Sequence, residues 1–320
     1  MWSLEMGFRL SIILGLFFCF SFAARLCAQA PWQQTNGPTG GYILTLTVKN
    51  ECCIFAGTFD GGVFRFTNGR SWVEVNNGLT TRLIRSLDVT SEGYVLAGTS
   101  SGVFRSTDDG NNWMAVNNGL NHLNIMSLAA GDSGRVFAGT WGGGVFRSLE
   151  HGNDWTEINK GLKDNYIEAI AVNKNGVVFV ATRSFGVFRS EDNGNSWTEI
   201  NSGLPLSPYI KVNSLAINEN GYIFAGTSKN GVFRSTNNGK HWVEVNTGLA
   251  NKEVETLGIN KNGYIFAGTK VGVFRSENHG DTWSQISELR LTSMVFDSHG
   301  VIFAGSFGSV YKSHDNGENW

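Results

Sequence analysis

The chain has 320 residues, and its 41 glycines amount to about 13%, roughly twice the usual share, against only four prolines. Apolar residues make up 41% and charged residues 16%, with a formal net charge of −2. These values exclude a collagen-like or disordered chain, a charge-rich coiled coil and, at the level of the whole chain, a basic nucleic-acid-binding protein.

The chain opens with Arg9 ahead of an apolar run, Leu10 to Ala24, that ends in the small residues Ala28-Gln29-Ala30. The run is short for a membrane span, which needs about 20 residues. Its layout is that of a secretory signal peptide. Residues 1–30 are therefore expected to be removed after Ala28 or Ala30. That leaves a secreted or periplasmic domain over 31–320 with no membrane span. Of four cysteines, only the adjacent Cys52 and Cys53 remain after such cleavage. Neighbouring cysteines are poorly placed for a mutual disulfide or a metal site.

From residue 40 onward the chain repeats. Gly-Val-Phe-Arg-Ser or a close variant recurs with its aromatic at Phe64, Phe104, Phe146, Phe188, Phe233, Phe274 and Tyr311, at spacings of 40, 42, 42, 45, 41 and 37. Each copy has the same order. A short apolar run such as Ile84–Val89 is followed by a turn such as Asn260-Lys261-Asn262-Gly263. Next come Tyr264-Ile265-Phe266-Ala267-Gly268-Thr269, a short link and Gly272-Val273-Phe274-Arg275-Ser276. A second glycine turn then leads to Trp283-Ser284-Gln285-Ile286. Four short strands rich in Val, Ile, Phe and Trp, at a period of ~40–45 residues, predict a propeller blade. Eight tryptophans, at 32, 72, 113, 155, 197, 242, 283 and 320, stand at one repeat position and bound seven intervals. The expected fold is an all-β, seven-bladed propeller of four-stranded antiparallel blades. The segment that opens with Trp32 is expected to supply the last outer strand and close the ring.

Between third and fourth strands stands a Ser-x-Asp-x-Gly-x-x-Trp turn. Ser106, Asp108, Gly110 and Trp113 form one copy; Ser190, Asp192, Gly194 and Trp197 a second; Ser313, Asp315, Gly317 and Trp320 a third. Glu150, Asn237 or Asn278 replaces the Asp elsewhere. A short acceptor can bind nearby amides, glycine can take positive φ, and tryptophan can pack into the sheet interface. This turn resembles the Asp-box of bacterial-neuraminidase-type (BNR) repeats. Over residues 32–320 the repeats resemble propellers of the sialidase-like superfamily, sortilin-type receptors, xyloglucan-cleaving glycosidases and photosystem II assembly factors. That resemblance implies the fold. It implies little about function, because enzymes and non-enzymes share the turn.

Catalytic patterns are weak. An arginine triad of the sialidase kind is not indicated by Arg65, Arg105, Arg147, Arg189, Arg234 and Arg275, because one arginine per blade is spread around the ring. Arg85, Arg183 and Arg290 remain as candidates in loops. A glycosidase needs two carboxylates about 5–9.5 Å apart. Asp60, Asp164, Glu168, Glu253 and Glu255 fall on one rim, read as solvated loop residues with no pair singled out. The histidines lack ligand spacing, so neither a metal nor another cofactor is expected. The links between second and third strands and between blades share one variable face. On it, Trp141, Tyr166, Arg183, Phe185, Tyr209 and Lys211 form an arc over three blades. Trp141 sits in a glycine-rich link with no bulky neighbour to cover it, and aromatic rings with polar donors suit a sugar or a protein hot spot. The sequence thus points to a non-enzymatic, monomeric binding or assembly module for protein or carbohydrate, with a glycoside hydrolase of the sialidase-like or xyloglucanase-like type as the alternative.

Overall fold

The computed structural model describes residues 37–38, 41–50, 53–67, 71–205 and 211–320. The signal segment, the strand expected to begin at Trp32, Cys52 and Tyr209 lie outside these residues. Among the described residues there is no helix. Six consecutive antiparallel sheets have four strands each, and the seventh has three. In blade 1 the strands are Ile43–Asn50, Cys53–Thr58, Val63–Thr67 and Ser71–Glu74, paired in that order. The first strands of the remaining blades are Ile84–Val89, Ile125–Ala130, Ile167–Val172, Val212–Ile217, Val254–Ile259 and Ser293–Phe296. Each of these lies against the first strand of the next blade, and Ser293–Phe296 lies against Ile43–Asn50. The seven first strands thus line a closed ring, and the protein is a seven-bladed β-propeller.

Each second strand reads as a continuous apolar run, and all five residues of Val95–Thr99 are buried. Such a strand is covered on both faces because the adjacent blades sandwich it. Phe104, Phe146, Phe188, Phe233 and Phe274, on the third strands, fill the spaces between blades. The tryptophans fasten one blade to the next. The indole N–H of Trp113 donates to Val75 O at 2.8 Å, and Trp155, Trp197, Trp242 and Trp283 donate likewise to Val116, Ile158, Ile200 and Val245. Each acceptor stands three residues beyond the tryptophan of the preceding blade. In Gly119 (φ +83°) the carbonyl oxygen of Trp155 occupies the space that a Cβ would need, so only glycine fits that close approach.

The serine–acid turns behave as local fasteners. Ser190 donates to Asp192 at 2.7 Å and accepts the Gly194 amide at 2.7 Å, while Asp192 accepts both the Ser196 amide and hydroxyl. These bonds, chiefly the one from the Ser196 side chain, pull the Asp192 carboxyl down to about 2. The residue before the glycine is left-handed without being glycine, as in Asp109, His151, Asn193, Asn238, His279 and Asn316. Its carbonyl accepts a guanidinium N–H from the preceding blade: Arg65 to Asp109, Arg105 to His151, Arg147 to Asn193, Arg189 to Asn238, Arg234 to His279 and Arg275 to Asn316. The repeated arginines therefore hold neighbouring blades together around the ring and do not converge on a ligand.

A further set of bonds binds the inner ring. The Leu87 amide donates to Thr45 Oγ1, Leu128 to Ser86, Ile170 to Ser127, Leu257 to Ser214 and Leu46 to Ser293. Each hydroxyl serves the first strand of the adjacent blade. One layer further along the channel, Asp88 takes the same role by accepting the Ala130 amide at 2.7 Å. Cys53 is buried, and burial pushes its thiol up to about 11, so it is a packing residue rather than a nucleophile.

Candidate binding face

The links between second and third strands are stiff. Thr140 Oγ1 donates to Gly144 O and accepts the Gly143 amide, and the threonines at 58, 182 and 227 close their own links in the same way. An asparagine from the end of the fourth strand reinforces each link. Asn159 Oδ1 accepts the Val145 amide, and its Nδ2 donates to Gly143 O. Residues on these links are consequently held on a firm platform.

Beside them lies a feature that periodicity did not reveal. In six blades the pairing of the first strand skips its second residue, for example between Ile84 and Ser86 and between Ile167 and Ala169. The same skip falls between Ile43/Thr45, Ile125/Ser127, Val212/Ser214 and Val254/Thr256. These are β-bulges, which re-aim a side chain away from the ladder. The bulged residues Leu44, Arg85, Met126, Glu168, Asn213 and Glu255 stand at the loop-side mouth of the channel. Glu168 and Glu255 therefore lie on innermost strands, not in solvated loops as the sequence led one to expect, because the bulge places an unpaired residue on the strand itself.

The arc expected on blades 3 to 5 is partly assembled. Trp141 and Tyr166 are joined by an isolated β-bridge, and their rings meet edge to face at 5.2 Å and 80°. The Arg183 guanidinium lies 4.5 Å over the Trp141 ring. Arg183 and Lys211 both approach Glu168 Oε1, at 3.6 and 3.2 Å, and the Glu168 side chain is only 8% exposed. One buried carboxylate thus gathers two cations from successive blades. Phe185 stands exposed on the same link as Arg183, without a ring partner among the described residues. The expectation that nothing bulky covers Trp141 is corrected here. Tyr166 and Arg183 cover it and it is half-buried, because the bridge to Tyr166 draws the next blade over the link. His122, itself exposed, lies directly against Gly143 of that link.

Three of the other rim carboxylates are also engaged. Buried Asp164 accepts the amides of Tyr166 and Ser184, each at 3.0 Å. Glu255 accepts two N–H groups of Arg290, at 2.6 and 3.1 Å, which holds the guanidinium above its usual range. Glu253 pairs with Lys270. Arg85 is bonded to Asn124, and burial lowers its pKa. Asp60 is exposed beside Gly41. Among the described residues the one carboxyl raised by burial is Asp88, to about 6, and it is half-buried on the channel wall away from this face. Among the described residues no group of three or more His, Cys, Asp or Glu side chains is placed to hold a metal ion. No helix among them is long and apolar enough to cross a membrane.

Comparison with known proteins agrees with the fold and leaves the chemistry open. Residues 143–271 match the sequence model of the Sortilin-Vps10 family, described as sortilin, neurotensin receptor 3. Among curated proteins none matches the chain. The extracellular domain of BT4673 from B. thetaiotaomicron, assigned to the one-component systems, superposes with a TM-score of 0.74 at 16% identity, covering 88% of this chain and 40% of that one. YCF48 bound to D1 peptide superposes at 0.70 and 15% identity, covering 88% and 96%. The GH74 xyloglucanase from Xanthomonas campestris superposes at 0.72 and 14% identity, covering 91% and 54%. The chain thus spans about 40% of the length of BT4673. At these identities the likeness is one of fold, and the neighbours include binding and sensor domains as well as hydrolases.

Proposed function

We propose that this propeller is an exported, non-catalytic binding or assembly module, and that its variable loop face holds a protein or glycan ligand over blades 3 to 5. The observation that carries the reading is the state of four of the five rim carboxylates, all but Asp60. Glu168, Glu253 and Glu255 each hold a cation, and Asp164 caps two amides. A glycosidase needs one carboxyl available as a proton donor and a second at a set distance from it. Side chains already committed to neighbouring groups serve that task poorly, but they position Arg183, Lys211 and Arg290 well. The peptide in the YCF48 complex and the extracellular placement of the BT4673 domain support binding and export, respectively. Hydrolysis is the second reading, favoured by the GH74 neighbours. A combined glycan and peptide array probed with residues 31–320 tests the proposal. Specific binding that Trp141→Ala and Arg183→Gln weaken at least tenfold supports it. Release of reducing ends from xyloglucan oligosaccharides supports the alternative.

A further inference from the structure

The geometry around Trp141 occurs a second time. Tyr42, just before the first strand of blade 1, and Phe307, in the link of blade 7, are joined by an isolated antiparallel bridge, as Tyr166 and Trp141 are. Their rings meet edge to face at 4.7 Å and 83°. The Arg290 guanidinium lies 4.8 Å over Phe307 and is anchored by Glu255, a bulged residue like Glu168. The correspondence is positional as well. Tyr42 O accepts the Phe59 amide where Tyr166 O accepts that of Arg183, so each tyrosine takes the same place in its blade. Phe59 occupies the position of Arg183, and the cation comes instead from the link that enters blade 7.

One cluster straddles the seam between blades 3 and 4, the other the seam between blades 7 and 1. In a ring of seven, three blades separate them one way round and four the other, so they face each other across the channel mouth. We propose that the two clusters are paired clamps gripping one extended polypeptide laid across that mouth, with an acidic side chain docked at each clamp. This inference rests on the binding role proposed above and names the ligand class.

Two features select a peptide over a glycan. A sugar ring stacks on an open aromatic face, but guanidinium groups lie over Trp141 and Phe307. The charge layout also has a direction. The acids lie low, with Glu168 and Glu255 side chains 8% and 22% exposed, while Arg183 and Arg290 are 47% and 40% exposed above them. Arg290 spends its Nε and one Nη on Glu255 and Arg183 one Nη on Glu168, so each fork offers a docked carboxylate its remaining N–H groups. The exposed rings of Tyr42, Phe59, Tyr166 and Phe185 beside these forks suit the apolar side chains next to each acid. Two weak sites joined by one ligand bind much more tightly than either alone, provided that the ligand spans them.

The test is selection of a displayed random library of peptides of about twelve residues, which reach about 40 Å when extended, on the immobilised domain. Enriched peptides are then synthesised and their affinities measured for wild type, Arg183→Gln, Arg290→Gln and the double variant, with melting midpoints confirming that each is folded. The inference predicts enriched sequences with two separated acidic residues. It also predicts at least a tenfold loss for each single variant and a loss of the same size when either acid is replaced by its amide. It is overturned if the enriched peptides lack acids, if Arg290→Gln binds them like wild type, or if no peptide is enriched. Peptides sensitive to Arg183→Gln alone would overturn the paired clamps while leaving the binding role on blades 3 to 5 intact. Glycan binding at the same face, with no peptide enriched, would likewise overturn the peptide assignment and spare the broader reading.

Discussion

Replacing Trp197 with alanine tests how the blades are held together. The indole is buried in the cluster with Phe137, Ile158, Val178 and Phe188, and its Nε1 donates to Ile158 O at 2.6 Å. Emptying an aromatic site of this kind typically costs about 3–5 kcal/mol. The abandoned Ile158 carbonyl adds to that, since a buried unsatisfied group costs roughly 1–3 kcal/mol, so the upper part of the range is expected. Trp197→Phe keeps most of the volume and loses the hydrogen bond, and is expected to cost about 1–3 kcal/mol. Trp141→Ala supplies the contrast. It removes one edge-to-face pair and one cation–π contact from a half-buried link, together about 1–2 kcal/mol. Urea titrations followed by far-ultraviolet circular dichroism measure all three. A Trp197→Ala cost below about 1 kcal/mol, or a Trp141→Ala cost equal to it, would refute the argument that the periodic tryptophans carry the ring.

Asp88 makes stability depend on pH in an unusual direction. Burial raises its carboxyl to about 6, so the folded state takes up a proton more readily than the unfolded chain. Its favourable contribution is complete below the ordinary carboxyl range and is lost as pH rises through about 6. Asp88→Asn keeps the acceptor for the Ala130 amide and should be more stable than wild type at pH 7.5 by about 1–3 kcal/mol, an advantage that vanishes near pH 4; melting midpoints across that range that fall in parallel would contradict it. If residues 31–38 supply the outer strand that the sequence leads one to expect, deleting them should cost several kcal/mol, since the loss would expose a sheet edge. Trp72 Nε1 is buried and lacks a partner among the described residues, whereas five other periodic indoles each donate to a carbonyl of the preceding blade. A melting midpoint unchanged by the deletion would show that this segment does not close the ring. Amino-terminal sequencing of the native protein should begin at or after Gln29, and retention of Met1 would refute export by a cleaved signal.

What the sequence made legible is what repeats. Blade number followed from tryptophans at equal intervals, and the structural reading of Arg65 and its counterparts followed from their recurrence at one strand position. Each such residue meets nearly the same neighbours in every blade, so one explanation serves all. The hydroxyl belt had a signal too, in Thr45, Ser86, Ser127, Ser214 and Ser293 at one place in five of the seven innermost strands. The binding face was read less well because it depends on departures from the repeat. A one-residue bulge puts Glu168 and Glu255 at the channel mouth, and bulges are invisible to a pattern of apolar residues. Trp141 and Tyr166 were both singled out, but not their bridge, which forms only when one blade is laid against the next. Tyr42 and Phe307 stand at opposite ends of the chain and meet because the ring closes.

The central claim is that the loop face binds and does not cleave. Its most direct test is one experiment on one sample, in which the wild-type domain is incubated with a captured peptide or glycan ligand and both complex and product are quantified. The account predicts saturable binding with the ligand recovered intact, weakened at least tenfold by Trp141→Ala with Arg183→Gln and left unchanged by Arg147→Gln on the opposite, turn-bearing face. Turnover of the ligand that Glu168→Gln or Glu255→Gln abolishes would contradict it.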